Sequence, residues 1–279
     1  MIWHSTYFTW PEFWRGRQVV TVHDMIHERF PDLYHDRLDE IARQHKRRCV
    51  EQADAIICVS ESTRMDLEYF YGTTSKPVYV VPSALSEVFR LLPPYMSRVQ
   101  NWPDEPYLLY VGKRSHHKNF RGFMDAYRMW EGKTEVGVIV VGKPWEREEQ
   151  AYLAQAGIAE RVCLMSELDD EDLCWLYNRA LAFVFPSLYE GLGLPVLEAM
   201  ACGCPVVASQ ISTIVYTAGD VPFYFDPSQP QSLIAAIDQA LVQGRHPSRV
   251  QRGISRAQQF TWDKTAKGYL EVYRELENR

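Results

Sequence analysis

The sequence has no apolar run approaching the roughly 18 residues that a membrane-spanning helix needs. Its opening, MIWHSTYFTWPEFWRGR, also lacks the basic segment and apolar core of a secretory signal. A cytoplasmic protein is therefore expected, with the inner face of a membrane as the variant place. Basic charge is in deficit: 30 Lys and Arg against 36 Asp and Glu leave a formal net charge of −6. That balance argues against nucleic acid as the main partner. No strand is followed by G-x-G-x-x-G, and no G-x-x-x-x-G-K-[ST] occurs, so the dinucleotide fingerprint and the Walker phosphate loop are both missing. The six cysteines lie mostly in apolar runs, where a free thiol packs as a small hydrophobe. Cys202 and Cys204 have no second pair at ligand spacing, so no zinc or other metal site is expected.

What the chain does have is SLYEGLGLPVLEAMACGCPVV, residues 187–207. An apolar run at 181–185 precedes it as a buried strand, and a turn with Gly191 and Gly193 follows. Pro195 suits a first helical position, Gly203 suits the residue past the helix end, and PVVAS reads as the next strand. Strand, glycine turn, short helix and strand make one crossover of a parallel sheet. The helix start presents unpartnered N–H groups at the positive end of its dipole, which is an anion site. Glu190 and Glu198 flank it, and carboxylates hold hydroxyls. A ligand with hydroxyls on both sides of a phosphate group fits, as in a nucleoside diphosphate sugar. By spacing alone, the alternative is two acids placed in a turn and near a helix start for ordinary dipole reasons.

EGLGLPVLEAMACGCPVV resembles the E-x7-E signature of the retaining glycosyltransferases of family 4, which have the GT-B fold. Leu192 stands where Phe is commoner and Cys204 where Thr is frequent. The resemblance implies that Glu190 holds hydroxyls of the transferred sugar and Glu198 the ribose hydroxyls. It also implies that the N–H groups of Gly191, Leu192, Gly193 and Leu194 approach the diphosphate.

A second basic segment, YVGKRSHHKNF at 110–120, runs from a strand end into a helix start. Cations there oppose the helix dipole, so a bound anion is the natural compensation. The segment is similar to the family's YVGxRxxxKN loop, which implies diphosphate contacts for Arg114 and Lys118. The roles of Lys113 and His117 stay open. No D-x-D pair sits where a metal-dependent nucleotide-sugar enzyme needs one; Asp169 and Asp170 are better helix caps.

Along the chain, IWHSTYFTWP reads as a strand end and its loop, and residues 18–22 as a second strand ending in His23 and Asp24. Loops after strand ends bind ligands in an open α/β sheet. His23 joins Glu190, Arg114 and Lys118 as a candidate catalytic residue, and His4 and Asp24 are candidates for the acceptor side. The alternative for each histidine is a hydrogen-bonded structural role. Residues 37–53 have helical spacing, with Leu38, Ile41, Cys49 and Val50 on one side and RQHKRR on the other. A strand at 55–59, a helix capped by Ser60 and a strand at 78–82 follow, in the manner of the family's "AD-I-I-x-V-S" passage. The proline-rich stretch 91–106 lacks periodicity and reads as a linker.

Beyond it strands and helices alternate to the end, which argues for a doubly wound parallel sheet. The expected organisation is α/β, GT-B, with two Rossmann-like domains. These are a partial N-terminal acceptor-side domain at 1–92, a linker at 93–106, a C-terminal nucleotide-sugar domain at 107–261, and a helix at 262–279 crossing back. The helix places Tyr269, Val272, Tyr273 and Leu276 on one side.

The resemblance implies a retaining hexosyltransferase that needs no metal or cofactor, uses a nucleotide sugar and acts on a glycan or lipid-linked acceptor. Cell-surface polysaccharide or glycolipid synthesis is the implied setting. Two departures bear on it. Family members begin with a glycine-rich loop and further βα units, so a shortened product or a partner chain, a second copy included, is expected to account for them. Tyr216 also stands where relatives often carry Glu. The competing expectation is a non-catalytic nucleotide-sugar-binding module. Peripheral membrane contact through Trp10, Phe13, Trp14, Arg15 and Arg17, helped by Arg43, Lys46, Arg47 and Arg48, is a further expectation. Its alternative is aromatics packed in the cleft and basics in water.

Overall fold

The computed structural model describes residues 1–72, 75–93 and 105–278. The chain divides into two units. One comprises Met1–Ala84, Glu190–Leu192 and Phe260–Arg279; the other comprises Leu85–Tyr189 and Gly193–Gln259. Most of the expected linker, residues 94–104, lies outside the described residues.

The first unit is built on four parallel strands in the order β1-β2-β3-β4: β1 (Ile2–Ser5), β2 (Arg17–Val22), β3 (Ala55–Cys58) and β4 (Val78–Val80). Its helices are α1 (Ile26–Arg29), α2 (Arg37–Gln52) and α3 (Glu61–Tyr71). Alternation along the strands sorts the core into two faces. Val20, Val22, Ile56 and Cys58 pack with Cys49, Val50 and Leu67 of α2 and α3. Val19, Ala55 and Ile57 pack with Val272 and Leu276, joined by Tyr269 and Tyr273, the stripe read from the C-terminal sequence. Asp36 and Asp39 close a reciprocal capping box on α2, and the Ser60 hydroxyl accepts from Thr63 N at the start of α3.

Helix α2 departs from the expected pattern. Leu38 and Ile41 are exposed, whereas Lys46, expected on the solvated basic side, is 1% exposed. Its ammonium lies 2.8 Å from the Glu28 carboxylate and 3.1 Å from the Asp24 carbonyl oxygen, while Tyr71 OH donates to the other Glu28 oxygen at 2.6 Å. A buried cation persists because each of these acceptors offsets its desolvation. Lys46 therefore drops out of any membrane-facing set. Arg43 donates to the Tyr34 carbonyl, Arg47 pairs with Glu51 and Arg48 lies over the Trp10 ring.

In the second unit strands and helices alternate: β5 (Tyr107–Val111), α4 (Phe120–Met129), β6 (Gly137–Val141), α5 (Arg147–Gln155), β7 (Val162–Met165), α6 (Asp170–Arg179) and β8 (Ala182–Phe185). There follow α7 (Leu194–Ala201), β9 (Val206–Ser209), α8 (Ser212–Ala218), β10 (Phe223–Phe225), α9 (Pro230–Gln243) and α10 (Pro247–Ala257). The last helix, α11 (Trp262–Glu277), belongs to the first unit. The six strands are parallel, in the order β10-β9-β8-β5-β6-β7. One sheet face, with Leu109, Ile139, Phe183 and Ala208, packs on α6 and α7. The other, with Leu108, Tyr110, Val138 and Val207, packs on α4 and α9. This is the doubly wound parallel α/β architecture expected. Each fully buried aromatic such as Phe183 contributes about 2 kcal/mol to it. Among the described residues no helix is long and apolar enough to cross a membrane.

Candidate functional site

From β5 the sheet of the second unit grows one way through β6 and β7 and the other way through β8, β9 and β10. Helix α4 after β5 and α7 after β8 pack on opposite faces. Connections that leave in opposite directions open a crevice beyond the carboxyl ends of the two strands, the usual ligand position in such sheets. Both segments singled out in the sequence end at this point. Residues 112–119 follow β5 and include a 3₁₀ turn, His116–Lys118. They are tied to the loop after β8 by Leu188 N, which donates to the His117 carbonyl at 2.7 Å. The Lys118 ammonium lies 5.7 Å from the ring centroid of Phe185 at the end of β8.

Helix α7 begins where Gly193 takes φ 88°, the left-handed region that side chains resist. A Cβ there would also lie 2.4 Å from Ile214 Cδ1. Pro195 follows in the first turn, no side chain caps the helix, and the first turn holds no acid. The N–H groups at this end of the dipole suit an anion. Glu198, one turn on, accepts a hydrogen bond from Tyr177 OH at 3.1 Å. Burial raises its pKa to about 7, with the Tyr177 hydroxyl acting in the opposite sense. Tyr177 is fully buried, edge-on to Phe183, and burial followed by the Glu198 charge holds its phenol far above the ordinary range. Sequence reasoning missed Tyr177: its place on the inward stripe of α6 marks it as core, and nothing in the spacing reveals where its hydroxyl goes.

Arg114 is 5% exposed, and four of its five N–H donors are spent on neighbouring groups. Its Nε and Nη2 donate to the two Glu149 oxygens at 2.7 and 2.9 Å, Nη1 to the Lys143 carbonyl and Nη2 to the Pro144 carbonyl, both at 3.0 Å. The guanidinium lies 4.6 Å from the Trp145 ring centroid. The Arg114 pair holds Glu149 below the ordinary carboxylate range against the opposing effect of burial.

In the first unit Gly191 meets the end of β2. Its carbonyl accepts from Ser60 Oγ at 2.6 Å and Thr63 Oγ1 at 3.2 Å, and a Cβ there would lie 1.8 Å from the His23 carbonyl oxygen. Glu190 and Leu192 belong to the same short segment. The structure thus brings Gly191 and His23, far apart in sequence, side by side. The His23 ring bonds the Thr6 carbonyl through Nε2 at 2.8 Å. Asp24, just before α1, accepts from Ile26 N at 3.0 Å. His4 has both ring nitrogens engaged, Nδ1 with Tyr273 OH at 2.5 Å and Nε2 with Thr21 Oγ1 at 2.8 Å. Burial and then the nearby His23 lower its pKa to about 4. Among the described residues no cluster of three or more His, Cys, Asp or Glu side chains could hold a metal ion.

Residues 96–257 match the family described as Glycosyl transferases group 1, and residues 2–86 that described as Glycosyltransferase Family 4. Over 273 residues the chain is 30% identical to the O-antigen chain mannosyltransferase B of Escherichia coli, covering 93% of this chain and 71% of that one. Sucrose-phosphate synthase from Thermosynechococcus elongatus superposes with a TM-score of 0.82 at 22% identity, over 99% of this chain and 74% of that one. Anabaena HepE in complex with UDP-glucose gives a TM-score of 0.74 at 17% identity, over 94% and 72%.

Proposed function

The chain belongs to glycosyltransferase family 4 and has the GT-B fold, and on that premise we propose a metal-independent, retaining hexosyltransferase. It moves the hexose of a nucleoside diphosphate sugar to an acceptor hydroxyl. Mannose is the sugar proposed first, because the E. coli relative is an O-antigen mannosyltransferase. A nucleotide sugar as donor is supported by the Anabaena neighbour, whose structure holds UDP-glucose. The observation that carries the proposal is the meeting, at the strand-order reversal, of the Lys118 turn with the loop that leads into α7.

Leaving-group departure puts negative charge on the diphosphate. N–H groups at the α7 start and the Lys118 ammonium stabilise it in place, without reorganising at the moment of transfer. Four of the five Arg114 N–H donors are already spent on Glu149 and two loop carbonyls, so Lys118 is the side-chain cation assigned to the leaving group. Arg114 braces the loop that carries it. Glu198, held by Tyr177, accepts from the ribose hydroxyls. Glu190 holds hydroxyls of the transferred sugar. The acceptor hydroxyl attacks from the leaving-group face and gives its proton to a diphosphate oxygen, so the anomeric configuration is kept. His23 and Asp24 are assigned to the acceptor side.

The test is incubation of the chain with GDP-mannose, UDP-glucose and ADP-glucose in the presence of EDTA, following nucleoside diphosphate release and the anomeric configuration of the product. One donor is expected to be consumed, with retention, and Glu190→Ala and Lys118→Ala are expected to lose at least about a hundredfold in rate. Release abolished by EDTA, or an inverted product, contradicts the proposal. Nucleotide binding without turnover favours the non-catalytic module instead.

A further inference from the structure

Away from the crevice, the second unit has a cavity of about 670 Å³ between the end of α9 and the start of α10. Its apolar lining is Leu181, Ala240, Leu241 and Val242, with Val242 83% exposed. The lining also carries Arg245, His246, Arg249 and Arg252, and among the described residues it includes no carboxylate. That is unusual in a chain whose net charge is −6.

Three of the four basic groups, Arg245, His246 and Arg249, are held in place by the fold. Arg245 donates to the carbonyls of Asn178 and Ala180 at 3.0 and 2.7 Å. Arg249 donates to the Val221 carbonyl and lies 4.0 Å from the Phe223 ring centroid. His246 bonds Ser248 Oγ at 2.9 Å and caps α10. Arg252 has Asp220 at 3.9 Å, and that carboxylate is itself largely exposed. Burial and then the neighbouring Arg252 lower the pKa of Arg249 and outweigh the opposing Asp220 carboxylate, so the two cations strain against each other. Arg249 also sits in the first turn of α10, where the dipole disfavours positive charge and the helix supplies no acid. An anion in the cavity relieves both conflicts at once.

We propose that this cavity binds a phosphate ester carrying an apolar chain, its phosphate against Arg249 and Arg252 and its chain along Leu181, Leu241 and Val242. Arginine is suited to phosphate because its planar fork donates two parallel hydrogen bonds. The site opens beside the start of β8, since Leu181 immediately precedes that strand, whereas the nucleotide crevice lies beyond the strand's other end.

Isothermal titration of the full chain with octyl phosphate and, separately, with inorganic phosphate tests this. Octyl phosphate is expected to bind one-to-one and at least about tenfold more tightly than inorganic phosphate, because several methylenes leave water. Arg252→Gln is expected to weaken octyl phosphate about fivefold, and Val242→Asp by a similar factor through charge repulsion and lost apolar area. Both side chains are half-exposed or more, so both variants should fold. Neither touches the crevice, so both should keep the wild-type response to nucleotide. Equal affinities for the two phosphates overturn the proposal, as do wild-type octyl phosphate affinity in both variants or no binding at millimolar concentration.

Discussion

Glu198 is a carboxyl whose ionisation is poised by two opposed neighbours, the apolar surroundings that raise its pKa to about 7 and the Tyr177 hydroxyl that lowers it. A carboxyl raised on folding contributes stability that is fully present below its unfolded pKa of about 4.5 and is lost as pH rises through about 7. Ribose hydroxyls donate best to the ionised form. Nucleotide affinity should therefore rise with pH up to about 7 and then level off, with a proton released on binding below that point. Tyr177→Phe removes the group that favours ionisation. Its affinity profile should keep the same shape with the inflection moved to higher pH, read by titration calorimetry across pH 6 to 9; an unmoved inflection removes Tyr177 from the site. Arg114→Gln strands Glu149 and two loop carbonyls, and should cost about 2 kcal/mol in urea unfolding. His4 shows what sequence left open. The sequence reading allowed either a ligand-facing or a structural histidine, and the choice rests on Tyr273, a residue 269 positions away.

At the scale of elements, the turn into α7 is the part most completely written in local sequence. Gly193, Pro195 and Gly203 mark the start and end of the helix by backbone rules that need no tertiary partner. Gly193→Ala should cost about 2 kcal/mol in urea unfolding from left-handed strain and the Ile214 contact, and should weaken nucleotide binding measured by titration calorimetry. Gly191 is constrained for a different reason. The nearest obstacle to a side chain is the His23 backbone oxygen, which has no rotamer by which to yield, so Gly191→Ala should destabilise the first unit at least as much. That requirement was not legible, because it arises between segments more than 160 residues apart. Helix α2 was misread for a related reason. Periodicity reports which side chains share a face, but not that Lys46 finds Glu28 and Tyr71 inside while Leu38 stays in water.

For the whole molecule, alternation of strands and helices predicted a doubly wound sheet, and the six-stranded order confirms it. Alternation does not say where the order reverses. Only pairing reveals that β5 lies beside β8, and this neighbouring turns two separate motifs into one crevice. The partners that seat Arg114 and Tyr177 likewise come from α5 and α7, elements brought near by winding rather than by sequence spacing. The claim that a sugar nucleotide is held there is tested most directly by titrating GDP-mannose, or whichever donor turns over, into the wild type, Glu198→Ala and Lys118→Ala. The wild type should bind one equivalent, and each variant should lose at least about tenfold in affinity. Wild-type affinity in both variants would contradict the account.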